Sequence, residues 1–178
     1  MGGAIQAVDA ADYGSFSIDK NITIDGSGTG AVINAVGKPH AININNGNVL
    51  LPIHVTLRNL VLYSDTMGGG GSGTIKASLG FGPSVLNVEN VIVNGSFGAN
   101  ANDYGITLFG NAASRVNLRD VRVIGNNVGI YAQSDFDRRT CFSDERQYRW
   151  AASVFKLPFH SRFCVLQQRR RWHYDRSL

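Results

Sequence analysis

The sequence predicts an all-β fold, a parallel β-helix of about four coils with three strands in each coil. Three observations predict it. An eight-residue stretch, V-T-L-R-N-L-V-L at residues 55–62, recurs at residues 86–93 and 116–123 as L-N-V-E-N-V-I-V and V-N-L-R-D-V-R-V. The copies start 31 and 30 residues apart, and a fixed period of this size is typical of solenoids. Each copy alternates apolar and polar residues with the period of two that indicates strands.

A corner is predicted in the middle of each copy, at Asn59, Asn90 and Asp120. The apolar alternation shifts there by one residue, so both halves of a copy face one core only if the chain bends. Asn and Asp tolerate the left-handed backbone conformation that a sharp bend needs. Each copy is therefore interpreted as strand, corner, strand.

Two columns of side chains follow from this stacking. At a strand spacing of roughly 4.8 Å, Asn59, Asn90 and Asp120 form a corner column in which amides can hydrogen-bond as a structural ladder. The residue before each corner forms a charge column, which consists of Arg58, Glu89 and Arg119. We expect its alternating signs to favour the register, with each exposed pair contributing no more than ~0.2–1 kcal/mol.

Further strands are predicted on both sides of these copies. Residues 4–8 and 16–24 are the first candidates, and the second is interpreted as a looser copy of the repeat with Asn21 at its corner. A third strand follows each corner unit, at residues 41–44, 74–77, 105–108 and 129–132. The loop before this strand varies most in length, so we expect a binding side there. We expect almost no helix before residue 135.

Charge divides the chain of 178 residues into two unlike parts. Residues 1–137 hold seven Lys/Arg and ten Asp/Glu, whereas residues 138–178 hold ten and three. Such a break indicates a boundary. We therefore predict a parallel β-helix over residues 1–134 and a basic tail over residues 135–178, which is poorly ordered, irregular or a short-helical cap.

Three hypotheses for the tail remain open. It is unrelated to the repeat, as after a frameshift or gene truncation; or it is a cap with a short helix over residues 150–157; or it is an arm for nucleic acid or an anionic surface. The last would use Arg169, Arg170, Arg171, Trp172 and Tyr174. Two cysteines are too few for a disulfide framework.

The coil unit V-x-L-R-N-L and the early I-T-I-D-G resemble right-handed parallel β-helix repeat proteins of the pectin-lyase-like superfamily. The resemblance covers about residues 4–134. It implies a secreted or cell-surface location and association with polysaccharide. Better-known relatives, the pectate lyases, polygalacturonases and phage tailspikes, act on polysaccharides, but one fold hosts many functions.

The residues themselves offer only weak candidates for enzyme chemistry. The motifs that the resemblance implies for hydrolases, N-T-D, D-D, G-H-G and R-I-K, do not occur in the chain. Asp65 and Asp103 lie in successive variable loops and are weak candidates for a shared Ca²⁺ site. The four histidines are isolated and suggest no metal site. We therefore expect no complete active site and no cofactor.

The leading hypothesis is a non-catalytic β-helix module, carbohydrate-associated or structural at the cell surface. A polysaccharide lyase or hydrolase with a site on the variable-loop side is one alternative, and anionic-polymer binding through the Arg-rich tail is another. We expect polysaccharide rather than nucleic acid as partner, and oligomers through exposed solenoid ends. The sequence has no run of about 18 apolar residues, so it predicts no membrane span. It has no basic segment followed by an apolar core at its start, so it predicts no signal peptide.

We expect Asn90→Leu to lower the unfolding midpoint more than Asn87→Leu does, because only Asn90 is predicted at a corner. Thermal unfolding of the two variants checks this. Equal midpoints would count against the predicted corner.

Overall fold

The structure of the protein is a computed structural model. It describes residues 2–35, 37–47, 51–64, 73–80, 82–95, 104–111, 113–126, 128–133, 141–143 and 164–166. All regular elements within these ranges are β-strands, and all their pairings are parallel. The prediction of an all-β fold with parallel strands is confirmed, and the arrangement is consistent with a β-solenoid. None of the described residues forms a helix that could cross a membrane.

The described strands are, in chain order, β1 (Gly3–Gln6), β2 (Phe16–Ile18), β3 (Ile22–Asp25), β4 (Val32–Ala35), β5 (Ile42–Asn45), β6 (His54–Ser64), β7 (Gly73–Ser78), β8 (Val85–Gly95), β9 (Tyr104–Phe109), β10 (Arg115–Arg119), β11 (Arg122–Ile124), β12 (Val128–Gln133), β13 (Cys141–Ser143) and β14 (Cys164–Leu166).

The first sheet contains nine of these strands, in the order β1-β3-β6-β8-β10-β13-β14, with β4 beside β6 and β11 beside β8. Its register pairs Val55 with Leu86 and Leu86 with Val116. Equivalent residues of successive repeats therefore lie side by side, which hairpin pairing of sequence neighbours would not allow.

The second sheet contains five of the described strands, in the order β12-β9-β7-β5-β2. Ile42 pairs with Ile75, Ile75 with Ile106, and Ile106 with Ile130. These residues belong to the third strands that the sequence predicts. The chain passes from one sheet to the other and back, through β6, β7, β8 and β9, and so stacks one pass on the last.

One cluster of buried apolar side chains draws on both sheets. Burial in β6 alternates through Leu57, shifts by one residue at Asn59, and resumes with Leu60 and Leu62. Asn59 has a φ of 56°, in the left-handed region, and Asn90 makes the same change in β8 with a φ of 50°. The left-handed residue is what lets both halves of a long strand contribute to the core.

The interpretation of residues 16–24 as a looser repeat copy is wrong. Residues of β2 pair with β5 in the second sheet, whereas β3 pairs with the first half of β6. Asp25 lies beside Arg58, so the corner that faces Asn59 falls at Gly26 rather than at Asn21. The turn at residues 26–31 adds residues at this corner, and the next strand, β4, then aligns with the second half of β6.

Within the predicted tail the structure describes residues 141–143 and 164–166, and the rest of the tail, expected to be irregular or short-helical, lies outside the described residues. The described tail residues are two strands, β13 beside β10 and β14 beside β13, and both extend the first sheet. A strand edge offers unpaired backbone groups to a further strand, and Phe142 and Val165 at the centres of β13 and β14 are of residue types enriched in strands. The helix predicted over residues 150–157 lies outside the described residues.

Gly26→Ala is expected to destabilise the fold by about 1–3 kcal/mol. A Cβ at this position would overlap the carbonyl oxygen of Asn59, and it would lie 3.0 Å from the Leu60 side chain and 3.1 Å from the Ala31 side chain. Urea unfolding measures the change in free energy. Gly3→Ala is the matched control, because nothing lies within 4 Å of a Cβ there; equal losses in the two variants would contradict the close approach at the corner.

Candidate functional site at the corner column

The corner column is the most regular polar feature of the described structure. Asn59, Asn90 and Asp120 have φ angles of 56°, 50° and 51°. Left-handed backbone is rare outside glycine, and Asn and Asp adopt it more readily than other residues. The three copies therefore place a polar side chain at the same point of three successive passes.

The structure brings two of these amides together. The Asn90 side-chain amide donates to Oδ1 of Asn59 over 2.8 Å, and the Asn59 amide donates to Oδ1 of Asp25 over 2.8 Å. Both donors point toward the N-terminal end of the stack. Asp120 shares the backbone conformation, but an ionised carboxylate has no proton to donate in this direction.

Asp25 terminates the ladder, and the sequence reasoning did not single it out. Its Oδ1 also accepts from the backbone N–H of Ser27 at 2.9 Å, and its Oδ2 lies 2.9 Å from Nε of Arg58. The hydrogen bond from Asn59 is the main cause that lowers the pKa of Asp25; Ser27 and Arg58 act in the same direction and burial opposes them. The carboxylate is thus held ionised by three donors.

The charge column has the expected register but other ion-pair partners. Asp25, Arg58, Glu89 and Arg119 are neighbours on successive strands. The ion pairs shorter than 4 Å between described residues are Arg58 with Asp25, and Arg119 with Asp120 at 3.7 Å. Arg58 thus pairs with the acid on the earlier strand instead of with Glu89, because Asp25 is already fixed by the ladder.

A second ladder runs along the outer face of the first sheet. The Asn117 amide donates to Oδ1 of Asn87 over 2.7 Å, and the Asn87 amide donates to Oγ1 of Thr56 over 3.2 Å. The signal was present in the sequence, since the three residues share one position of the repeat. Asn87→Leu therefore also removes a ladder hydrogen bond and is not a neutral control for Asn90→Leu. Of the two residues, only Asn90 combines its hydrogen bond with left-handed backbone.

A buried polar cluster at the turn between the sheets also escaped sequence reasoning. The Asn46 amide lies within hydrogen-bonding distance of the carbonyl oxygens of Leu51 and Leu79 and of Oγ of Ser84. Ser84 in turn accepts from the backbone N–H of Ile53 at 3.1 Å. Asn46 therefore holds three turns of the chain together. Asn does not recur at this position of the repeat, so the repeat gave no sign of this cluster.

A shallow groove of about 300 Å³ opens beside the corner of the first copy. Its lining includes glycines of the turn at residues 26–30 together with Asn59, Asn90, Leu60, Val61 and Ile92. The two side-chain amides in this lining already bond within the ladder. The groove therefore offers glycine backbone and apolar surface more than free polar groups.

The sequence candidates for metal or catalytic chemistry are placed only in part. Asp65 and Asp103 lie outside the described residues, as do His160, His173 and the Arg-rich segment. Within the described ranges no group of three or more His, Cys, Asp or Glu side chains could hold a metal ion. His40 is half-buried and its Nδ1 donates to the carbonyl oxygen of Gly73 over 2.9 Å; burial is the main cause that lowers its pKa.

Comparison with known proteins gives no match: no family model, no curated protein and no solved structure matches the chain.

Acidification is expected to weaken the fold through Asp25. Its pKa is lowered in the folded chain, so the stabilisation is present above the ordinary carboxyl pKa of about 3.9 and is lost as pH falls through the lower folded value. The measurement is the free energy of unfolding between about pH 7 and pH 3 for the wild-type chain and Asp25→Asn. The wild-type advantage should be constant near neutrality and shrink below about pH 4.

Asn59→Ala supplies the control for this titration, because it removes the main cause of the lowered pKa. The pH dependence of stability should be flatter in that background. An unchanged pH profile would show that the ladder does not hold the Asp25 carboxylate.

Proposed function

We propose that the chain is a non-catalytic module of the right-handed, pectin-lyase-like β-helix type, with about four coils, that associates with polysaccharide or serves as a structural element at the cell surface. The pectin-lyase-like assignment comes from the repeat unit V-x-L-R-N-L. The parallel stacking of the repeat copies supports it.

The supporting observation is how the recurring polar residues are used. In the two ladders, Asn90 bonds to Asn59 and Asn117 bonds to Asn87, each along the stacking direction. A glycoside hydrolase site requires two carboxyl groups that flank the scissile bond. Asp25, the buried carboxylate of this region, is instead satisfied by structural donors. These recurring polar groups therefore bond to one another and stabilise the scaffold.

A polysaccharide surface is favoured on the second sheet. The rings of Tyr104 and Tyr131 stack with their centroids 4.7 Å apart and an interplanar angle of 19°. Tyr131 belongs to a register column that also contains Asn43 and Lys76; Thr107, between Lys76 and Tyr131 in this column, is fully buried. Tyrosine rings offer a broad apolar surface with a polar tip, which suits a sugar ring, and Lys76 suits an acidic sugar. Both tyrosines lie on strands that follow variable loops.

Tyr131→Ala is expected to weaken polysaccharide binding by about fivefold or more, the effect of losing an aromatic contact of about 1 kcal/mol. Affinity electrophoresis in gels containing polygalacturonate or a neutral polysaccharide measures the retardation. Tyr63→Ala is the matched control, because Tyr63 is 43% exposed but lies in the first sheet. Equal retardation of the two variants would overturn the assignment to the second sheet.

The same polysaccharides distinguish the alternatives. A binding module retards without shortening the polymer, whereas a lyase releases unsaturated ends and a hydrolase releases reducing ends. Either product would replace the proposal by the enzyme hypothesis. Binding that falls steeply with salt, and is lost when residues 138–178 are deleted, would instead assign it to the basic tail.

A further inference from the structure

The two cysteines of the chain lie side by side in the first sheet. Cys141 of β13 and Cys164 of β14 are Cα partners in the parallel register of these strands. Neighbouring strands of a sheet lie about 4.8 Å apart, and the Cα atoms of disulfide-bonded cysteines lie roughly 4.4–6.8 Å apart. Since the sequence contains two cysteines in all, the backbone brings together the one pair that could form a disulfide within the chain.

The core column supports this register. Leu118 is the register partner of Phe142, and Phe142 is the partner of Val165. Leu118 is 5% exposed and belongs to the column of core residues that runs through Leu57 and Val88. An apolar residue thus occupies the core position in each of the two added strands. Because a slip of one residue reverses the face of every residue in a strand, the continued apolar column supports the pairing of the cysteines.

The two cysteines share the outer face of the sheet. Successive residues of a strand lie on opposite faces, so the residue before each core position falls on the outer face. Asn87 and Asn117 hold this position in the preceding repeats, where they form the outer ladder. Cys141 and Cys164 hold it in β13 and β14. The pair therefore lies on the outer face of the sheet rather than on its core face.

We propose that Cys141 and Cys164 form an intramolecular disulfide that ties β14 to β13. A small-molecule disulfide such as oxidised glutathione is the oxidant. One protein thiolate attacks it, which forms a mixed disulfide and releases one glutathione thiolate; the other protein thiolate then attacks the mixed disulfide and releases the second. Two electrons pass from the protein sulfurs to glutathione, and the two protons lost by the protein thiols end on the two glutathione thiols.

The bond holds a strand that backbone pairing alone holds weakly. Each of β13 and β14 has three residues, so few backbone hydrogen bonds join them. The covalent link also closes a short loop, which removes conformational freedom from the unfolded chain. The bond forms independently of polysaccharide binding, although it persists in the oxidising surroundings of a cell surface and is reduced in a cytosol.

Peptide mapping of the full chain tests this bond. The folded chain is equilibrated with oxidised and reduced glutathione, free thiols are alkylated, and tryptic peptides are analysed by mass spectrometry without reduction. Trypsin places the two cysteines in separate peptides, residues 140–146 and 163–169. We expect these two peptides to be joined in the monomeric chain and to separate on reduction. Alkylated thiols at both positions, or a chain linked mainly as disulfide dimers, would overturn the proposal.

The double variant Cys164→Ser with Val165→Cys is the matched control. It keeps two cysteines and moves one of them by a single residue, to the core-face position beside Phe142. The ratio of oxidised to reduced protein at one glutathione poise should be lower than in the wild-type chain by about tenfold or more, because the two cysteines then lie on opposite faces. Circular dichroism confirms that both chains are folded.

The same ratio measured in concentrated urea shows what the register contributes. The two unfolded chains should oxidise alike, since the loops that they close are nearly equal in length. Equal oxidation of the two folded chains would overturn the proposal, because chain flexibility rather than strand register would then bring the cysteines together.

Discussion

The single left-handed residue at each corner is the constraint on which the rest of the structure depends. Strand alternation has a period of two, so without a shift the second half of β6 or β8 would turn its apolar residues to solvent. Left-handed backbone costs an ordinary residue roughly 1–2 kcal/mol. Each buried Leu or Val beyond the corner contributes roughly 1.5–3 kcal/mol. Asn59 and Asn90 lower the cost of the bend and make the burial of Leu60, Leu62, Val91 and Val93 possible.

The hydrogen bonds of the amide ladder run in one direction, and this direction explains why a carboxylate, Asp25, lies at the end of the ladder. An amide passes a hydrogen bond along a column only if its oxygen accepts from one neighbour while its nitrogen donates to the other. Asn90 and Asn59 donate the same way, so the column needs an acceptor at its N-terminal end. A carboxylate accepts without donating, and Arg58 and Ser27 stabilise its charge. The close approach of Gly26 to Asn59 leaves no room for another side chain there.

The features of the fold that the sequence could predict are those that recur from one repeat copy to the next. The spacing of 31 and 30 residues is enough to align Val55, Leu86 and Val116, because the register of a parallel stack depends only on which positions recur. The first copy of the repeat was predicted at the wrong residues for two reasons. The turn at residues 26–31 separates its two halves, and Phe16–Ile18 has the same alternation as a repeat strand. Alternation shows that a segment is a strand but not which sheet it joins.

Ion-pair and hydrogen-bond partners that do not recur in the repeat could not be predicted from the sequence. Arg58 has acidic neighbours on both sides in the register, and the choice of Asp25 over Glu89 depends on which carboxylate is already held in place. Asn46 bonds to turns brought together only by folding. The candidate site was therefore predictable at Asn59 and Asn90, where the repeat defines it, and unpredictable at Asp25, where the repeat begins.

The direction of the ladder follows from one fact, that each described pass of the chain stacks in parallel on an earlier one. The core column is covered unequally among the described residues: Ile5 is 54% exposed, whereas Leu118 near the other end is 5% exposed. In the described residues the recurring amides bond along the stacking axis, Asn90 to Asn59 and Asn117 to Asn87. A polar residue that recurs in this fold is therefore explained first by its place in the stack, before any role in binding a ligand is considered.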